Sequence, residues 1–518
     1  MLHHSVLRSI GCAILIGLCP LAEGSVYGEV VALPKGIVFA KPRMPDNIVA
    51  DMRAFNEELS RNVKPEENAV VWLLQALGTE CVGDAYLEST LDMLGVQSFS
   101  KEGPELEKLE TFGRRREKAG KNYAKESFEF NEGMRHGPSR LWKRSEFGAF
   151  AAYLDESAAA FDLVTTGVRQ PGYYWPLVSE EVPQHIMSAS HGLELRLVFL
   201  AKLLSARANL RVAEGEVDLA LTDMLSLHRL ASLMSHGSPL EVTVAKAQMI
   251  DALAYGSEMI LLESGKLTSE TARKYSEQLA AVPLIASAAE AVDRGERFVV
   301  RQEIALLRLN SEELKQMFID PSKEEEPAAP GKPKPPKPIP KIDWKLAVQR
   351  GDEIQDQVKE ALSEPLPARR EELFAALDRD YQEWDKNNEE ITKKMLTNLE
   401  EKNDLAGASR YLGETMARAL KTLYRQRLIA EQRTRSRRDS VMVALALVSF
   451  MRDKGEFPSS LEELSPDYLK EMPLDANTGK PFDYVKEAKE AAVLTSWGSN
   501  GQNDAGKVPN DDQIIRLR

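Results

Sequence analysis

Cysteine is almost missing from these 518 residues, with Cys12, Cys19 and Cys81 the whole supply. The first two fall in the opening twenty residues, so the rest of the chain has one thiol and cannot carry an internal disulfide. Cys81, in Leu77-Gly-Thr-Glu-Cys81-Val, has no histidine near it in sequence and reads as a small buried apolar residue rather than a nucleophile. Histidine is scarce too. No His-Glu-x-x-His, no histidine pair at helical spacing with a carboxylate and no glycine-rich phosphate loop occurs. His185, His191, His228 and His236, with Glu194 and Asp223, invite a metal or acid–base reading, but without such a pattern the histidines read as surface or helix-end residues. Positive charge is in deficit: 67 Lys and Arg against 80 Asp and Glu leave a formal net charge of −13, which removes the electrostatic motive for binding nucleic acid. The run Arg114-Arg115-Arg116 is interleaved with Glu105, Glu107, Glu110 and Glu117 and reads as solvated surface. No segment repeats at a fixed period.

What is present begins with a charged start over Met1–Arg8, a brief apolar stretch over Ser9–Leu18, and small residues at Ala22 and Gly24. This is the pattern of a secretory signal peptide, residues 1–24, cleaved after Gly24. It predicts an exported chain, periplasmic or extracellular. No integral membrane span is expected in the mature chain, because a span needs about twenty apolar residues.

From residue 25 to 320 the patterning predicts an irregular helical body. Helices are expected over Pro45–Asn62, Pro65–Leu77 and Leu141–Leu163, with 101–137 too charged to show a pattern. The strongest signal is His191–Met234, a helix pair turning at Glu214-Gly215, similar to a single tetratricopeptide unit. More helix follows over Val242–Leu262, Ser269–Ala281 and Ser287–Leu309. Pro171-Gly-Tyr173-Tyr174-Trp175-Pro176 offers either a cover for the helical core or an aromatic cleft, with Glu180 and Glu181 as nearby acids. Residues 321–341 are a Pro/Lys/Glu-rich loop or linker, and 342–436 are polar helices that need an apolar surface to pack on.

The last stretch, 437–518, is the most informative. Val441–Met451 wraps apolar residues around a helix that Gly455 and Pro458 stop; Ser459-Ser460-Leu461-Glu462 fits a capping box, and Ser465-Pro466 fits a second helix start. Turn chemistry then leads into Phe482–Val485, Val493–Trp497 and Gln513–Leu517, three short strands. Between the last two lies a loop dense in glycine, carboxylate and carboxamide, Gly498 to Asp512. Such a loop suits a hard cation like calcium, or folds as a hydrogen-bonded polar turn without one.

Four segments in order, Gly455-Glu-Phe-Pro458, Ser460-Leu-Glu-Glu463-Leu464, Pro473-Leu-Asp475-Ala-Asn-Thr-Gly479-Lys-Pro481 and Ser496-Trp-Gly498-Ser-Asn500-Gly501 with Asp511-Asp512-Gln-Ile514, resemble the C-terminal domain of the major pseudopilin of type II secretion systems. The resemblance implies calcium in the closing loop, with side chains of Asn500, Asp511 and Asp512 and the backbone carbonyls of Trp497 and Pro509 as ligands, and Asp504 as a substitute. Asn500 stands where the family has aspartate, and the loop is longer than the family's. Unlike a pseudopilin helix, Val441–Met451 follows Arg433, Arg435, Arg437 and Arg438 and is too short to span a membrane. The chain as a whole resembles uncharacterised exported bacterial proteins that join a helical body to this module. The expectation is a mainly α protein with a small C-terminal α+β module, acting as a non-enzymatic envelope or interaction protein with an envelope protein partner; the alternative is an envelope hydrolase with its site near Tyr173–Trp175.

Overall fold

The structure, a computed structural model, describes residues 52–99, 103–179, 185–189, 192–310, 314, 317–318, 341–419, 424–502, 504 and 511–518. The expected signal peptide over 1–24, nearly all of the stretch 321–341, Glu180, Glu181, His191 and Pro509 lie outside them. Among the described residues the protein is mainly helical. The helices are α1 (Met52–Ser60), α2 (Ala69–Leu77), α3 (Asp84–Leu94), α4 (Leu109–Lys118), α5 (Tyr123–His136), α6 (Gly148–Glu156), α7 (Ala158–Gly167), α8 (Gly192–Glu214), α9 (Val217–Gly237), α10 (Glu241–Glu263) and α11 (Ser269–Ala280). A π-helical turn, Ala291–Glu296, leads into α12 (Arg297–Leu309); α13 (Trp344–Ser363), α14 (Pro367–Lys402), α15 (Leu405–Ala419) and α16 (Tyr424–Lys454) follow. The antiparallel strands β1 (Asp483–Ala488), β2 (Ala491–Ser496) and β3 (Gln513–Leu517) form one sheet in that order.

Two expectations change. The charged stretch 101–137 holds α4 and α5, because its few aromatics do the packing: Phe112 and Phe130 both meet the Tyr153 ring edge-on, while Arg116 pairs with Glu126 across the two helices. Charge masked this pattern in the sequence. The single helix expected over Leu141–Leu163 is two helices that meet at Ser157, which is in neither.

The chain divides into two compact units. Of the described residues, one takes those up to Glu58 and those within Ser179–Ala189 and Val292–Tyr424; the other takes those within Leu59–Val178, Ser190–Ala291 and Arg425–Arg518. In the first, α13 and α15 lie close because Gly413 faces Ala347, where any Cβ would overlap the Ala347 carbonyl oxygen. Phe55 stacks on Phe298 at 4.1 Å, and Arg297 and Arg301 of α12 pair with Asp352 of α13.

In the second unit α8 and α9 form a hairpin that turns at Gly215, whose φ of +87° suits glycine, and α10 packs against both. Its organising element is α16. Val441, Val443, Ala444, Leu445, Ala446, Leu447 and Val448 are all buried and Met442 partly so, which covers the helix almost all round over two turns. The cover comes from α9, α10 and α11 and from the sheet, which join α16 in one apolar core. The sheet supplies its inner face at period two: Ala492 and Leu494 on β2 pair with Leu517 and Ile515 on β3, all four buried. Arginines of α16 lock the neighbouring helices by their carbonyl ends. Arg438 donates to the Leu279 oxygen in the last turn of α11 and to the Val282 oxygen just beyond it, and Arg452 donates to Gly265 and Leu267 oxygens after α10.

Candidate functional site

Helix α16 ends as the sequence suggests, at Lys454, with Gly455 at φ +78°. The chain then turns back, and the capping box forms between Ser460 and Glu463, whose Oε1 accepts the Ser460 amide. No second helix starts at Pro466; a run of turns carries the chain to Pro473. There Asp475, 1 % exposed, becomes the hub of the module. Its carboxylate accepts the Ser436 hydroxyl of α16 at 2.7 Å, the Ser496 hydroxyl at the end of β2 at 2.9 Å and the Asn477 amide at 3.0 Å. Helix, turn and sheet are thus tied at one buried charge. In the sequence Asp475 belongs to the Pro473–Pro481 turn segment, and Ser436, inside an arginine-rich run, gives no sign of being its partner.

Directly beyond Ser496 begins the acidic loop that joins β2 to β3. Asp504, Asp511 and Asp512 each bring a carboxylate oxygen within 4.8 Å of the others. Asp511 takes the Ser499 amide at 2.7 Å and the Ser499 hydroxyl at 2.6 Å on Oδ2. Its Oδ1 is buried and has no hydrogen-bond partner among the described residues. Burial pushes the Asp511 carboxyl up, but the Ser499 hydrogen bonds outweigh it and hold it below the usual carboxylate range. Gly498, at φ +53°, is needed here, since a Cβ would overlap the Asp511 carboxylate. Asn500 borders this trio: its Nδ2 donates to Asp504 at 3.1 Å and its Oδ1 accepts the Gln502 amide at 2.7 Å, which leaves that oxygen a second lone pair. Trp497 lies immediately before Gly498, at the mouth of the loop. All-oxygen donors on a sharply bent backbone, with a carboxylate oxygen lacking a donor, fit calcium in kind.

The histidines differ from expectation in one case. His228 is buried, 3 % exposed, with Nδ1 2.7 Å from Asp251 and Nε2 3.1 Å from Glu258, which also accepts the Tyr275 hydroxyl at 2.5 Å. It is neither at the surface nor at a helix end. Burial lowers its affinity for a proton, but the two carboxylates outweigh burial and push its pKa up to about 10. Both ring nitrogens are engaged, so the ring is an ion-pair centre and not a base poised for substrate. His185 is half-buried against Glu303, and His236 lies in the last turn of α9, bonded to the Leu284 carbonyl.

No family model, curated protein or solved structure matches the chain. Its function is therefore read from its own residues. Tyr173, Tyr174 and Trp175 are all buried, Trp175 to 1 % exposure, and Asn68 bonds the Tyr174 backbone at both its amide and its carbonyl. These rings face the core and not a cleft. Cys81 donates to the Gly78 carbonyl, and burial pushes its thiol up to about 11, far from a reactive thiolate. Arg114, Arg115 and Arg116 are spent on Glu110, Glu107, Glu156 and Glu126. Among the described residues no helix is long and apolar enough to cross a membrane.

Proposed function

We propose that this chain is an exported, non-enzymatic interaction protein whose C-terminal module is pseudopilin-like in kind and is stapled by calcium. The convergence of Asp504, Asp511 and Asp512, with Asp511 against Gly498, carries this reading. Side chains of these three residues and of Asn500 would hold the ion, with the Trp497 carbonyl as a backbone ligand. The bound ion would supply structure only, pinning the β2–β3 connection to the sheet.

Support for a non-filamentous role comes from α16. A pilin-like helix that polymerises must offer an apolar face to other subunits, and here that face is filled by α9, α10 and α11 of the same chain. Support for a non-catalytic role comes from the engagement of His228 at both nitrogens and the raised thiol of Cys81. The expected partner is an envelope protein, and nucleic acid is disfavoured by the net charge of −13.

Thermal unfolding of the full chain in calcium and in chelator tests the staple. An ion bound only by the folded state must raise the midpoint, by about 2.7 kcal/mol of stability at a hundredfold excess over Kd. The rise is expected in the wild type and absent in Asp511→Asn, whose midpoint in calcium should equal its midpoint in chelator. Identical wild-type curves in both buffers would leave the loop a polar turn.

A further inference from the structure

Helix α16 carries more arginine than its ion pairs use. Arg427 forks onto Glu241, and Arg438 and Arg452 donate to backbone carbonyls. Arg433 and Arg437 do neither: among the described residues nothing accepts a hydrogen bond from either guanidinium. Residues four apart share one face of a helix, and like charges at that spacing repel. The face is the one turned to α10, where the Arg437 guanidinium lies over the Tyr255 ring at 5.3 Å. Both arginines are half-buried. The Nε of Arg437 is enclosed by protein, but its two terminal nitrogens, like all the guanidinium nitrogens of Arg433, are neither enclosed nor bonded. Those open N–H groups are the donors that a ligand can meet.

The protein does little to balance this pair of charges. Burial holds Arg437 below the usual arginine range and repulsion from Arg433 adds to it, against smaller pulls from Tyr255 and Asp251. Asp251 is already committed to His228 Nδ1 at 2.7 Å. Glu431 and Asp439 of α16 are engaged elsewhere: Glu431 accepts the Ala288 amide, and Asp439 lies 3.9 Å from Arg435. The Tyr255 ring softens the charge without cancelling it. An anion with several acceptor oxygens would cancel it, whereas a cation is repelled and a neutral ligand leaves the charges as they are. Guanidinium forks fit carboxylate and phosphate alike. Charge separates the two, because a carboxylate brings one negative charge to two positive ones, while a phosphate monoester brings about −1.5 to −2 near neutral pH on three acceptor oxygens.

We propose that Arg433 and Arg437 of α16, backed by Tyr255 of α10, form a binding site for a phosphate group, each guanidinium donating to phosphate oxygens through its open N–H groups. The phosphate comes either as the free ion or as the end of a monoester. This inference rests neither on export nor on the calcium loop, and it stands or falls separately from them.

Isothermal titration of the full chain without calcium, at about pH 7.5 and matched ionic strength, tests it with inorganic phosphate, glycerol 3-phosphate and acetate. At least one phosphate compound is expected to bind with a Kd of about a millimolar or tighter, and acetate at least about tenfold more weakly. Glycerol 3-phosphate binding as well as the free ion marks a site for monoesters; the free ion binding alone marks a site for inorganic phosphate. Arg433→Gln removes one charge from a side chain that bonds nothing, and should weaken phosphate about tenfold or more. Its melting midpoint in phosphate-free buffer should equal or exceed that of the wild type, because a repulsion is removed; an arginine with a purely structural role would lower it. Arg435→Gln, on the opposite side of α16, should bind as the wild type does. No heat from either phosphate compound, acetate binding as tightly, wild-type affinity in Arg433→Gln, or an equal loss in Arg435→Gln overturns the proposal.

Discussion

His228 shows how a single side chain can hold charge inside an apolar helical core. Three helices contribute to its surroundings: His228 from α9, Asp251 and Glu258 from α10, and Tyr275 from α11, with Arg438 of α16 acting on both carboxylates from nearby. Its folded pKa of about 10 lies above the ordinary 6.5. The stability it contributes is therefore fully present below about pH 6.5 and is lost as pH rises through about 10. His228→Ala leaves two buried carboxylates without their cation, and should cost about 3–5 kcal/mol at neutral pH by denaturant unfolding. The gap between wild type and variant should narrow as pH is raised toward 10, and a gap that stays constant from pH 6 to 10 would show that packing and not charge is lost.

At the scale of elements, close approach and capping decide which helices pair. Gly413 on α15 lets that helix pack on α13 with backbones nearly touching, Gly351 on α13 makes its tightest approach to Val300 of α12, and neither glycine sits in a turn. Gly413→Ala must push α13 away from α15. The expected loss is about 3 kcal/mol or more, the upper end for overpacking, because the obstacle is a backbone carbonyl that cannot rotate aside. Gly215→Ala in the α8–α9 turn makes an informative contrast: nothing lies within 4 Å of its Cβ, so only the φ of +87° is strained. That variant should lose about 1 kcal/mol. Comparable losses in the two variants would contradict the packing account. The glycine signals were equally visible in the sequence, but only the one flanked by helical patterns announced its purpose as a turn. The other sits inside a helix, where a glycine that allows contact looks the same as one that merely weakens the helix.

For the whole molecule, the main consequence is that the C-terminal module does not stand alone. The stretch Ser440–Arg518 has its own strands, turn and loop, yet α16 begins at Tyr424 and its apolar circumference is shared between the sheet and α9–α11. A boundary at 436/437 falls inside this helix. Excised residues 437–518 should therefore expose the face that α9–α11 cover. The fragment is expected to bind a hydrophobic dye and to melt without a cooperative transition, whereas the full chain melts cooperatively. A sharp melt of the fragment would mean that the sheet alone can bury enough of the helix.

Helix-forming periodicity, the stop at Gly455, the glycine hairpin at Gly215 and the period-two strands are properties of neighbouring residues, and these the sequence determined by itself. The acidic character of the β2–β3 loop belongs with them, because side-chain chemistry and glycine spacing are local. The tertiary structure alone decided that Asp475 takes its hydrogen bond from Ser436, that Asp504 meets Asp511 and Asp512, that Tyr173–Trp175 face inward, and that His228 lies between two carboxylates. Each of these joins residues that the chain brings together only by folding, and whether a charged or aromatic side chain meets water or a partner depends on what the distant chain places against it. Sequence pattern records which face of a helix is apolar; it does not record what will cover that face.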